Sequence, residues 1–125
     1  MEWKSKQLTN EGLPLFLRYL ENADVDLLRL SFPKLAVVRH QLAKVSPNGL
    51  PEADYNESLF EFDESIRDMF RLSEHGIVVL IETFAGNRNY YAYADSKKNV
   101  TEIVASLEHA FPQENLSWTI HSDPE

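Results

Sequence analysis

The chain has 125 residues, 43% of them hydrophobic and 26% charged, with no cysteine and a formal net charge of −8. That length and composition suit one globular domain able to bury roughly two-thirds of the surface its unfolded chain exposes. The absence of cysteine excludes disulfides, thiolate nucleophiles and Cys-ligated zinc, and the negative charge disfavours nucleic-acid phosphate and anionic lipid as partners.

Residues 1–12 are polar apart from Trp3 and Leu8, and Asn10-Glu11-Gly12 reads as a turn. Leu13 to Leu20 reads as a strand, with Pro14 marking an edge position or the strand's first residues. Glu21 to Arg29 is ambiguous, with Asp24 and Asp26 around a short apolar group. Leu35 to Val45 is β-rich, with apolar groups on both faces early on, as a central strand requires. Ser46 to Pro51 is a turn by composition.

The clearest helix comes next. Asp54 is a good N-cap and Glu57 completes a capping box. Tyr55, Leu59, Phe62, Ile66, Met69 and Phe70 recur at helical spacing, and His75-Gly76 reads as the C-terminal stop. Ile77 to Phe84 is a strand by β-branched content, Gly86-Asn87 a hairpin turn signal, and Arg88 to Ala94 the return strand. Asn99 and Glu102 predict a second capping box, on a helix whose apolar face is Val100, Ile103, Val104, Leu107 and Phe111 and which Pro112 ends. Leu116 to His121 alternates, with Leu116, Trp118 and Ile120 facing inward.

From residue 32 onward the order is β-α-β-β-α-β, the pattern of a ferredoxin-like α+β sandwich. The expected domain is single, over residues 1–125: an N-terminal strand and connector at 1–31, then a ferredoxin-like core at 32–122. The additional strand at 13–20 either extends the sheet edge or forms a hairpin with the residues after it. Behind Met1 there is no apolar stretch of signal-peptide type, and no apolar run approaches the ~20 residues a membrane span needs. A cytoplasmic protein without membrane contact is expected.

The search for chemistry finds no catalytic or metal-binding constellation, and no cofactor is expected. The histidines His40, His75, His109 and His121 stand in no ligand spacing such as H-E-x-x-H, so a helix-end His75 and three half-exposed rings are the expectation. There is no nucleophile elbow and no glycine-rich phosphate loop. Two groups stand out as candidate binding residues. Glu57, Glu61, Glu64 and Asp68 fall on one helix face opposite the apolar stripe, an acidic ridge able to dock on a basic protein partner. The same residues also fit a solvated face, with Arg67 and Arg71 within pairing distance of Asp63, Glu64 and Asp68. Tyr91 and Tyr93 project from the sheet face away from the helices if Tyr90, Ala92 and Ala94 face them, and His121 has the strand parity to join them in lining a ligand pocket. RNA-recognition modules place aromatics there, but with basic and glycine neighbours that are missing here, so no nucleic acid is expected.

Taken together, several short segments resemble the bacterial domain of unknown function 695 family. They are Trp3, Gly12-Leu13-Pro14-Leu15-Phe16-Leu17-Arg18, Phe32-Pro33-Lys34-Leu35, Asn48-Gly49-Leu50-Pro51, the hairpin ending Arg88-Asn89-Tyr90-Tyr91-Ala92-Tyr93, and Asp123-Pro124. That family is similar in layout to the regulator of ribonuclease activity B, an acidic ferredoxin-like inhibitor, through Trp118-Thr119 followed by Asp123-Pro124. The aromatic that often comes after the Asp-Pro pair in the family is absent before the end at Glu125. The resemblance implies a ferredoxin-like fold and a binding rather than catalytic role, and it carries no functional residues across. The expected function is a non-enzymatic, protein-binding regulator or inhibitor. The alternatives are a small-molecule or enzymatic site on the open sheet face and an immunity-type toxin inhibitor. An open sheet of this kind also permits a homodimer.

Overall fold

Two tight turns organise the N-terminal and central hairpins. Glu11 and Gly12 both take positive φ (53° and 81°), as do Ala85 and Gly86 (50° and 86°). Two consecutive left-handed residues give the turn whose twist matches that of paired strands. In the computed structural model, which describes residues 2–21, 24–42, 45, 47, 51 and 55–122, the elements are β1 (Glu2–Asn10), β2 (Leu13–Glu21), α1 (Val25–Ser31), β3 (Lys34–Gln41), α2 (Asn56–Ser73), β4 (Gly76–Phe84), β5 (Asn87–Ala94), α3 (Lys97–Ala110) and β6 (Asn115–Ser122). The fold is mixed α+β. Its six strands form one sheet in the order β1-β2-β4-β5-β3-β6, and each neighbouring pair is antiparallel. Among the described residues, no helix is long and apolar enough to cross a membrane.

Residues 2–10, read from the sequence only as polar, form a strand, and the turn expected after them is present at Glu11 and Gly12. β1 pairs with β2 from Glu2↔Glu21 to Asn10↔Leu13. The missing signal is apolar alternation: β1 is an edge strand whose residues from Lys4 to Asn10 are exposed, so neither face needed hydrophobic side chains. Residues 13–21 extend the sheet sideways, because β2 pairs with β4 from Leu15↔Phe84 onward. Pro14 precedes the first of those pairs, where its missing N–H costs no ladder bond to β4. The ambiguous stretch after it holds α1, capped by Asp24, whose carboxylate accepts from the Leu27 amide.

Two helix termini differ from expectation, and the cap predicted for a third is not among the described residues. The predicted cap Asp54 lies outside the described residues, and Tyr55 precedes α2 in a helical conformation with no side-chain cap bond. At the other end Glu74, not Gly76, takes the left-handed position (φ 63°). Gly76 is instead a steric necessity at the start of β4. A Cβ there would lie 2.3 Å from the Tyr93 carbonyl oxygen and 2.9 Å from Phe70 Cδ1. Finally, α3 is capped by Ser96, whose Oγ accepts from the Asn99 amide, so Asn99 sits inside the helix and its side chain is free to turn elsewhere.

The helical spacing read from sequence becomes the core. Phe62, Ile66 and Phe70 of α2 and Val100, Ile103, Val104 and Leu107 of α3 pack on Ala36, Val38, Val78, Ile81, Tyr90, Ala92 and Ala94 of the sheet. Leu116, Trp118 and Ile120 of β6 face the same layer and are only partly buried against it. Leu42, Tyr55 and Leu59 form a smaller cluster beside it. Both α2 and α3 lie on this face of the sheet, in contact with one another, whereas α1 packs against β5.

Candidate functional site

The apolar stripe of α2 turns Phe62, Ile66 and Phe70 into the core and leaves the flank of the helix facing α3. Ser65, Asp68, Met69, Leu72 and Ser73 from that flank, with Asn99, Glu102, Ile103 and Ser106 of α3, line a groove of about 660 Å³ between the two helices. Met69 and Ile103 make its floor apolar, and Leu72 at the rim is 69% exposed. A second hollow of about 360 Å³ shares Ser65 and Asp68 with the groove and is completed by Glu61, Glu64 and Phe111. Three of the four predicted ridge residues, Glu61, Glu64 and Asp68, therefore border these adjoining hollows. Glu57 belongs to α2, but its side chain lies outside the described residues. Asp68 is partly engaged by Arg71, 3.0 Å away. Arg67 donates to the Asp63 carbonyl and lies over the Trp3 ring at 5.4 Å, leaving Glu61 and Glu64 as exposed carboxylates.

One end of the groove is polar. His75 Nδ1 lies 2.8 Å from Asp95 Oδ2, and the Asn99 amide donates to both Asp95 oxygens at 3.1 Å. Asn99 Nδ2 is also 3.0 Å from His75 Nδ1. A nitrogen that donates to Asp95 cannot accept from Asn99, so the amide serves the carboxylate. Burial by itself would raise the Asp95 carboxyl, but the hydrogen bonds from Asn99 and His75 outweigh it and hold Asp95 below its usual value. With Nδ1 committed to Asp95, the Nε2 atom of His75 takes no part in this pair. Among the described residues no group of three or more His, Asp or Glu converges as a metal site.

The tyrosines are placed as the strand parity predicts. Tyr90 is buried under the helices, and Tyr91 and Tyr93 belong to the opposite face. The groove and its adjoining hollow are not lined by either. Tyr93 is 9% exposed, and the Tyr91 hydroxyl donates to Glu82 at 3.4 Å. Burial, then the Glu82 charge, raises the Tyr91 phenol above its ordinary value. His121 pairs with Leu35, which in turn pairs with Tyr93, so the backbone sets the three in one row across β6, β3 and β5; the His121 side chain lies outside the described residues.

Two buried polar groups went unrecognised in the sequence. Asp63 receives hydrogen bonds from Arg18, Arg88 and the Tyr90 hydroxyl under the helices. Its spacing was a signal: Leu59, Asp63, Ile66 and Phe70 are successive members of one helical stripe. His40, expected to be half-exposed, is wholly buried because it shares strand parity with Ala36 and Val38. Its Nε2 lies 3.1 Å from Glu114 Oε2, a charge contact in which neither ring nitrogen completes a well-formed hydrogen bond among the described residues. Glu114 accepts instead from Tyr55 at 2.8 Å.

Burial lowers the His40 value below 6.5, against the pull of Glu114 and Asp63 and with that of Arg88. Folding therefore disfavours the protonated ring. The stability this neutral ring contributes is complete above the unfolded value of about 6.5 and is lost as pH falls through the lower folded value. Urea unfolding across that window is expected to show a steeper acid loss in the parent chain than in His40→Leu. Parallel pH profiles would assign the loss to other groups.

This is a one-sheet α+β protein with a helix-lined acidic groove. The chain belongs to a family of unknown function, DUF695, whose model matches residues 2–125. No curated protein matches it.

Proposed function

We propose that the chain is a non-enzymatic protein-binding domain of regulator or inhibitor type, and that the groove between α2 and α3 takes a basic, amphipathic segment of its partner. The observation that carries this reading is a groove floored by Met69 and Ile103 and bordered by Asp68 and Glu102, with Glu61 and Glu64 on the hollow that adjoins it through Ser65 and Asp68. Apolar side chains of the segment would seat on the floor while its Lys or Arg residues meet the carboxylates, and the net charge of −8 steers such a partner inward. The order β4-β5-β3-β6, with α2 and α3 on one face, supports reading the core as ferredoxin-like. An immunity-type inhibitor falls within the same reading and differs only in its partner. The small-ligand alternative on the sheet face has less support, with Tyr93 buried and Tyr91 engaged by Glu82.

The test is fluorescence anisotropy with a synthetic Lys/Leu amphipathic peptide at low and high salt. Binding is expected to weaken with salt, because exposed charges are screened over about 8 Å at physiological ionic strength. Glu61→Lys, Glu64→Lys and Asp68→Lys together are expected to weaken it by roughly tenfold or more, each exposed pair contributing about 0.2–1 kcal/mol. An affinity indifferent to salt and to the triple change would remove the ridge from the function.

A further inference from the structure

The two edges of the sheet are not protected alike. β1 presents Lys4 and Lys6 along an exposed, polar strand. Charged side chains of this kind block edge-to-edge pairing. β6 has no such guard. Its eight residues, Asn115 to Ser122, carry no Lys, Arg, Asp, Glu, Pro or Gly. All eight are in register with β3, and among the described residues no strand pairs with its outer side. The side chains that β6 turns to the core, Leu116, Trp118 and Ile120, are only partly buried.

We infer that β6 is the seam of a homodimer, pairing antiparallel with β6 of a second copy about a two-fold axis at Trp118. Period-two alternation restricts the register to one that keeps apolar residues opposite apolar residues. Placing Trp118 against Trp118 of the partner sets Leu116 opposite Ile120, Ser117 opposite Thr119 and Asn115 opposite His121. Every apolar residue then meets an apolar one under the helices, every polar residue a polar one on the other face, and no histidine meets a histidine. The aromatic pair on the axis is itself a favourable cross-strand contact. The strand's symmetry about its tryptophan is what selects a second copy over an unrelated strand.

The elements nearest the seam, β3, α3 and β6, hold four basic residues (Lys34, Arg39, Lys97, Lys98) and two acidic ones (Glu102, Glu108), with Glu114 just before β6 and Asp123 and Glu125 after it in sequence, so two copies of a chain of net charge −8 meet there against a general repulsion that salt screens. The pairing joins two six-stranded sheets into one and leaves the outer edges to the lysine-bearing β1 strands.

The test is sedimentation equilibrium of the full chain over a range of concentrations. The expected result is a concentration-dependent rise from 14.4 kDa to twice that mass. Salt should strengthen the dimer by screening like-charged subunits, the opposite of its effect on basic-peptide binding, so the two proposals fail separately. Ser117→Lys with Thr119→Lys sets two like-charged pairs across the seam at exposed positions and is expected to weaken the dimer at least tenfold, with the thermal unfolding of the subunit retained. Ser117→Glu with Thr119→Glu should do the same, and an equal mixture of the two variants should restore a dimer. A parent chain monomeric throughout, a dimer indifferent to the lysine pair, or a mixture that stays monomeric would each overturn the seam.

Discussion

Replacing Asp63 with alanine is expected to lower the unfolding free energy by about 3–5 kcal/mol, the cost of stranding buried charge when one partner of a buried pair is removed. The Asp63 side chain is 4% exposed and is held by Arg18 Nη1 at 3.2 Å, Arg88 Nη1 at 3.0 Å and the Tyr90 hydroxyl. Arg88 is further fixed by its Nε bond to Thr83 Oγ1 at 2.8 Å and is 14% exposed, so it cannot turn to water without breaking the layer. Tyr90 is fully buried; burial first, then the Asp63 charge, pushes its phenol well above the ordinary value, so the hydroxyl remains a donor that must have an acceptor. Arg18 differs, being 38% exposed and stacked at 5.8 Å from Trp3, and it can reach solvent. Arg18→Gln is therefore expected to cost far less than Asp63→Ala. Urea denaturation of both variants checks the ranking. A loss under about 1 kcal/mol for Asp63→Ala would mean the cluster relaxes into water and is not a buried tie. Because a domain of this kind is stable by only about 5–15 kcal/mol, the change takes a large share of its stability.

Phe62→Ala carries an expected cost of similar size, about 3–5 kcal/mol, the usual range for emptying a buried phenylalanine site. The ring is 1% exposed and touches three others, with centroids 4.5 Å from His40, 5.6 Å from Tyr90 and 5.1 Å from Phe111. It thus packs against residues of β3 and β5 and the end of α3, and rigid aromatic neighbours collapse poorly into a vacated space. Phe62→Leu should cost much less, because most of the volume stays filled. The alanine variant should also flatten the pH dependence assigned to His40, since the cavity admits water to a ring held neutral by burial. A double change with His40→Leu is then expected to cost less than the two single losses together, as residues in contact are not additive. Additive losses would place the two side chains in independent environments.

Much of the architecture could be read locally. The apolar stripe from Leu59 to Phe70 and the alternation of Leu116, Trp118 and Ile120 state their element and inward face, because each buries one side beneath or against the helices, and the β-branched content from Ile77 to Phe84 states its element. The acidic ridge was equally legible, since Glu61, Glu64 and Asp68 follow from helical spacing alone. Its neighbour could not be seen: the groove exists because α3 lies beside α2, and no local pattern says which flank of a helix another helix will meet.

The remaining differences share that cause. β1 forms a strand through backbone pairing with β2, a bond between main chains that its polar side chains do not advertise. Glycine at position 76 looked like a helix stop, but its reason is the Tyr93 carbonyl of a neighbouring strand. Asn99 looked like a cap and instead braces Asp95 against His75 from within the helix. The sequence by itself determined the period and buried side of α2, α3 and β6, the strand character of β2 to β5 and the net charge, because those depend on residues a few positions apart. Only the tertiary structure decided the strand order, the burial of Asp63 and His40, and the meeting of the ridge with a groove, because those depend on contacts between residues far apart in the chain.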